Sequence, residues 1–201
     1  EQLWSLLEIY LDLKNKNKDN IKQIMDYLVN TFMFDLITMH ADRHIENWCI
    51  VQNQDTGDLR TAELFDNSTA FGLWDPEMNN RITNFYKSLN EYQRTNSPKS
   101  ETKFINFMYK DRMLLTPSED AIKNAKARKR QNNLEILDYF LQASDSSYIE
   151  LFMSYIEKIK NISISSLLNK IEKEQKVTID ENLKEYLNDL IIWNLHYLEN
   201  R

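Results

Sequence analysis

The chain has 201 residues, enough for one large domain or two small ones with a substantial core, and its 42% hydrophobic and 28% charged residues are the balance of a soluble globular protein. Two glycines and three prolines are too few for a turn-rich β architecture, so composition points to a mostly helical chain. A net charge of −6 argues against general nucleic-acid binding, the single Cys49 excludes an internal disulfide and fits a reducing, cytoplasmic compartment, and no apolar run reaches the roughly 18 residues of a membrane span.

Residues 1–12 (Leu3, Leu6, Leu7, Tyr10, Leu11) read as a helix closed by the polar run Lys14–Asn20. From about Asp19 to Met39 apolar residues fall at Ile21, Ile24, Met25, Leu28, Phe32, Leu36 and Ile37, and Val29, Met33 and Phe34 fill the other faces of the second half. A helix apolar all round is a buried one, so this segment is expected to run through the middle of a helical lobe and to deliver His40–Asn47 from its C-terminal end. Two strand-like segments follow, Trp48–Gln52 and Leu59–Phe65, joined by the hairpin signal Asn53-Gln54-Asp55-Thr56-Gly57-Asp58. Residues 67–98, polar and irregular with Gly72, Pro76 and Pro98, read as a long loop with a weak helix near Asn79–Leu89. From Lys99 the chain reads as helices. Thr116-Pro117-Ser118-Glu119 and Thr178-Ile179-Asp180-Glu181 carry capping-box patterns, and Ile149/Phe152/Ile156/Ile159 and Leu183/Leu187/Leu190/Ile191/Leu198 mark core-facing stripes.

Chemistry concentrates in His40-Ala41-Asp42-Arg43-His44-Ile45-Glu46-Asn47-Trp48 and, nineteen residues after Asn47, in Asp66 of Leu64-Phe65-Asp66-Asn67-Ser68. An Asp held on a loop leaving a buried helix can accept a hydrogen bond from a substrate hydroxyl and take its proton. Asn47 offers an amide oxygen, a hard ligand suited to Mg²⁺, and a hairpin would return Asp66 beside it to bridge the metal between phosphates. An Asp, an Asn five residues on and a second Asp after a short hairpin is the order found in protein kinases. His40-Ala41-Asp42 keeps the His-x-Asp of that loop, but Ala41 replaces its Arg, and Asp66-Asn67-Ser68 stands where Asp-Phe-Gly is usual.

Asp42-Arg43-His44-x-x-Asn47 resembles the catalytic loop of phosphoinositide kinases. The fuller string Ala41–Trp48 with Glu63–Ser68 is more similar to the C-terminal domain of HipA-like serine/threonine kinases, over roughly residues 32–72. The resemblance implies a mostly α fold, the helical C-lobe of a protein-kinase-like architecture whose one short β-hairpin carries the metal motif. It implies Asp42 as catalytic base, His44 near the transferring phosphate or bracing the loop, and Asn47 and Asp66 as the ligands that hold Mg²⁺ and ATP. Arg43 would support the loop or contact substrate, and residues 66–98 would be an activation-segment-like loop in which Ser68, Thr69, Thr83 and Ser88 are candidate phosphorylation sites.

Other residues read as structure. His40 is expected to be a buried loop anchor, His196 packing or surface, Cys49 a small buried hydrophobe, and the basic run Lys123–Arg130 a solvated helix face. No glycine-rich loop or strand-borne Lys precedes the catalytic loop, since Gly57 and Gly72 both follow it, and Glu1 rather than Met opens the chain. The expectation is therefore one lobe, residues 1–201, of a larger kinase whose N-lobe lies elsewhere in cis or in trans. Its partners would be ATP and a protein substrate, with neither nucleic acid nor membrane. Alone, the chain is expected to transfer phosphate poorly or not at all. A lipid-kinase lobe and a non-catalytic, pseudokinase-like binding module are the alternatives.

Overall fold

The first element follows from its apolar surface. In the computed structural model, which describes residues 18–43, 47, 49–73, 76–95, 108–109, 131–143 and 146–201, Lys18–Thr38 forms a 21-residue helix, α1. Ile24, Leu28, Val29, Phe32, Met33, Leu36 and Ile37 are all buried on it, as a helix apolar on every face requires. The readings made for residues 1–12, Thr116–Glu119, Lys123–Arg130 and His44 lie outside the described residues.

The C-terminal end of α1 is built with care. Met39 adopts a left-handed backbone (φ 56°), and the His40 amide donates back to the Asp35 carbonyl at 2.9 Å. This is the helix-ending motif that glycine usually serves. Buried Asn194 donates its side-chain N–H to the Ile37 carbonyl at 2.8 Å, satisfying one of the end carbonyls from another helix. The chain thus leaves α1 in a fixed direction.

The hairpin forms as expected but shorter, with β1 (Ile50–Gln52) antiparallel to β2 (Leu59–Thr61) and Val51 opposite Arg60. Its turn is set by Asn53, whose Oδ1 accepts the Asp55 and Thr56 amides, and by Gly57 at φ 71°. Leu59 is buried and β2 packs on α1, whereas Cys49 is exposed. The expectation of a buried thiol is corrected: among the described residues this sheet has two strands, and no further layer covers the face at Cys49.

Residues 67–98 depart most from the sequence reading. After a 3₁₀ turn at Ala70–Gly72 comes α2, an 18-residue helix at Met78–Thr95, longer than the weak helix near Asn79–Leu89 expected inside a long loop. Met78, Ile82, Phe85, Tyr86, Leu89 and Tyr92 recur at helical spacing and face the core, while Asn, Lys, Arg and Thr on the other face dilute the apolar signal. Phe85 meets Tyr186 edge to face with centroids 5.4 Å apart, and Tyr92 meets Trp193 at 4.7 Å.

A small ladder, β3 (Met108–Tyr109) with β4 (Gln131–Asn132), precedes α3 (Asn133–Ala143), α4 (Ser146–Lys160), α5 (Ile164–Gln175) and α6 (Glu181–Glu199). The α6 cap is Asp180, which accepts the Leu183 amide, rather than Thr178 of the expected capping box. The Glu172 carboxylate accepts the Ile179 amide at 2.7 Å and fixes the approach to that cap.

Two core clusters share α6. Ile191, Leu195 and Leu198 join α1, α3 and α4 in one, and Tyr186, Leu187, Leu190 and Trp193 join α2 and Leu168 of α5 in the other. Both apolar stripes of the sequence reading lie here, with Phe152, Ile156, Leu187, Leu190, Ile191 and Leu198 buried. The protein is mostly helical with a short antiparallel hairpin, and no described helix is long and apolar enough to cross a membrane. If α2 is a core helix, Phe85→Ala should lower unfolding free energy by about 3–5 kcal/mol, while exposed Thr83→Ala should change it by less than about 0.5 kcal/mol, both read by urea denaturation.

Candidate functional site

Asp35, on the last turn of α1, is the one carboxylate in the apolar run Met33–Ile37. It is fully buried, and Arg43, at 1% exposure, lies against it. The Arg43 Nε–H donates to both Asp35 oxygens at 3.2 and 3.3 Å, and Nη2 donates to Oδ1 at 3.1 Å. Burial pushes the Asp35 carboxyl up, while the Arg43 guanidinium and its hydrogen bonds pull it back and keep the carboxylate paired.

Arg43 has donors to spare and spends them on the second loop. Nη1 donates to the Phe65 carbonyl at 3.1 Å, and Nη2 donates to Asn67 Oδ1 at 2.7 Å. The two contacts bracket Asp66. His40, also buried, donates Nε2–H to the carbonyl of Asp66 itself at 3.0 Å. Because a carbonyl only accepts, that bond assigns the ring proton to Nε2. Nδ1 then carries a lone pair, sits 3.8 Å from Asp35 Oδ1, and has no hydrogen-bond partner among the described residues. Burial and then the Arg43 charge hold the His40 pKa below the ordinary histidine range.

The residues singled out in the sequence fall around this hub. Asp42 is half-buried, and its backbone carbonyl accepts the Asn47 Nδ2–H at 2.7 Å, which closes the loop on itself. Asn47 is buried, and the donor role of Nδ2 leaves Oδ1 as its acceptor atom. Asp66 is exposed, adopts a left-handed backbone (φ 51°), and receives the Ser68 hydroxyl on Oδ1 at 3.1 Å. Asp tolerates that conformation better than most residues, but holding it still takes outside bonds.

The structure thus brings Phe65, Asp66 and Asn67 against His40 and Arg43 of the first loop. His40 is the buried anchor expected, Arg43 serves loop support, and exposed His196 lies at the surface. Asp35 was missed by the sequence reading. A lone acid in an apolar helical run, eight residues before an Arg on the following loop, was the signal that could have found it. Of the four candidate hydroxyls, Ser68 and Thr83 are exposed, whereas Thr69 and Ser88 are buried.

Among the described residues no three His, Cys, Asp or Glu side chains gather into a metal cage. Asp66 offers a carboxylate and Asn47 an amide oxygen, which are the hard oxygen donor types that Mg²⁺ takes. No protein-family model, curated protein or solved structure matches this chain.

Two outcomes follow. Arg43→Met strands a buried carboxylate and should cost about 3–5 kcal/mol in unfolding free energy, whereas Asp35→Leu combined with Arg43→Met should recover most of that loss in the same denaturation assay. For His40, whose folded-state pKa is lowered, the unfolded chain takes up the proton first as pH falls. Its contribution to stability is therefore complete above about pH 6.5 and lost below it, and the imidazole NMR titration midpoint should lie under 6.5.

Proposed function

We propose that this chain carries the chemical half of an ATP- and Mg²⁺-dependent phosphotransferase acting on a protein Ser or Thr hydroxyl, in the manner of the HipA-like kinases its loops resemble. One observation carries the reading. The buried His40 and Arg43 hold Asp66 and both of its neighbours against the loop that bears Asp42 and Asn47. A polar loop with no such task has no need of a buried arginine and histidine gripping a strained, exposed aspartate.

In this reading Asp42 accepts the hydrogen bond of the acceptor hydroxyl and takes its proton as the phosphoryl group is transferred. Asn47 presents Oδ1 in an orientation set by its bond to the Asp42 carbonyl, and Ser68 holds the Asp66 carboxylate in place. The bound metal would supply positive charge to offset the charge spread over the phosphate oxygens. By the same resemblance, His44 would lie near the transferring phosphate or brace the loop. Gly57 serves the hairpin turn, and Gly72, at φ 68°, closes the 3₁₀ turn with the Arg81 guanidinium lying where a Cβ would stand. Neither can cover ATP, so a glycine-rich cover and its lysine must come from another segment or another chain.

The test is thermal stability of the product of the full reading frame. Mg²⁺ with ATP should raise its Tm, and Asp66→Asn should abolish the rise. Asp42→Asn should keep the rise while lowering phosphate transfer to protein about 10²–10⁴-fold. No rise in the wild type sinks the reading. A rise without transfer identifies a nucleotide-binding scaffold instead.

A further inference from the structure

The bracket around Asp66 includes a residue to which no role has been given. Asn67 is half-buried and places Oδ1 2.7 Å from Arg43 Nη2, the shortest of the Arg43 contacts. The same Nη2 is held by Asp35 at 3.1 Å, so Asn67 is tied through one nitrogen to the helix that founds the site. On its other side the Asn67 carbonyl accepts the Ala70 amide at 3.0 Å, at the entry to the 3₁₀ turn. Asp66 is left between two fixed points, Phe65 O and Asn67 Oδ1, with its own carbonyl held by His40.

That arrangement has a physical reason. A left-handed φ costs an L-residue about 1–2 kcal/mol, so an exposed aspartate relaxes out of it unless flanking atoms are pinned. A buried ion pair gives little net stability compared with apolar residues of the same volume, so what Arg43 adds is direction. Asn67 is the side chain on which that direction is spent next to the metal-motif Asp.

We propose that Asn67, acting through Arg43, is the positioning residue that holds Asp66 in its left-handed conformation and so aims its carboxylate at the metal. The inference rests on the phosphotransfer reading for what Asp66 ligates, though not for how Asp66 is held. Groups that orient a metal ligand change affinity by about 10–100-fold when removed.

The experiment uses Mn²⁺ alone as probe, followed by paramagnetic broadening of backbone amides, together with the ¹³C secondary shifts of Asp66. In the wild type, broadening should centre on Asp42, Asn47 and Asp66. Asn67→Ala, which leaves the Asp35–Arg43 pair intact, should weaken Mn²⁺ binding about 10–100-fold and move the Asp66 shifts out of the left-handed range. Asn67→Asp keeps the acceptor and should bind Mn²⁺ at least as well as the wild type. Ile156→Val, a core truncation on α4, serves as the stability control and should leave both readouts unchanged. If Asn67→Ala matches the wild type in Mn²⁺ affinity, or leaves the Asp66 shifts where they were, the positioning role is overturned and the phosphotransfer reading stands. If the wild type shows no broadening at these residues, the phosphotransfer reading falls, while a loss of the left-handed shifts in Asn67→Ala still supports the role of Asn67 in holding Asp66.

Discussion

The buried pair of Asp35 and Arg43 is the constraint from which the rest of the site follows. A carboxylate and a guanidinium removed from water lose several kcal/mol of hydration each, and their attraction in the interior does little more than return it. What the pair provides is geometry. Asp35 is fixed by α1, the longest described helix, and it accepts three N–H bonds from Arg43, so the planar guanidinium has one orientation. Its remaining donors then reach a second loop 22 and 24 residues farther on, at Phe65 and Asn67. A lysine could neutralise Asp35, but its single ammonium has no fork with which to fix both contacts at once.

The fold places this hub at the seam between its two apolar clusters. Ile37 belongs to one cluster and Met39 to the other, so α1 ends where they meet. Phe71, three residues past Ser68, packs against both. Helix α6 runs through the seam with buried residues on opposite faces, and from there Asn194 reaches back to the end of α1. Movement of α6 against α1 would therefore be felt directly at the loop bearing Asp42.

The parts of this arrangement that were legible in the sequence are those with strong local signals. The apolar α1, the Asn/Asp/Gly hairpin turn and the stripes of α4 and α6 all depend on near neighbours in the chain. What was not legible depends on partners far away. Helix α2 looked short and weak, near Asn79–Leu89 only, because its single apolar face acquires meaning only against Tyr186 and Trp193, about a hundred residues on. Cys49 looked buried because a strand was expected to carry a covered face. Asp35 escaped notice because one acid in an apolar helix is ambiguous until its cation is located, and Arg43 is brought to it by the reversal at Met39.

The scarcity of glycine bears on the unfolded chain as much as on the folded one. Among the described residues Met39, Asp66, Phe71 and Lys176 all take left-handed backbone angles that glycine would adopt without strain. A glycine at any of these positions would relieve about 1–2 kcal/mol of local strain. It would also give the denatured chain more conformations to lose on folding, which offsets about 0.4–1 kcal/mol of that gain. The offset is partial, so side-chain contacts supply the remainder, as for Met39, which is buried in the second cluster. The protein thus turns its corners with residues that keep their side chains in use, and it begins folding from an ensemble already narrowed by its composition.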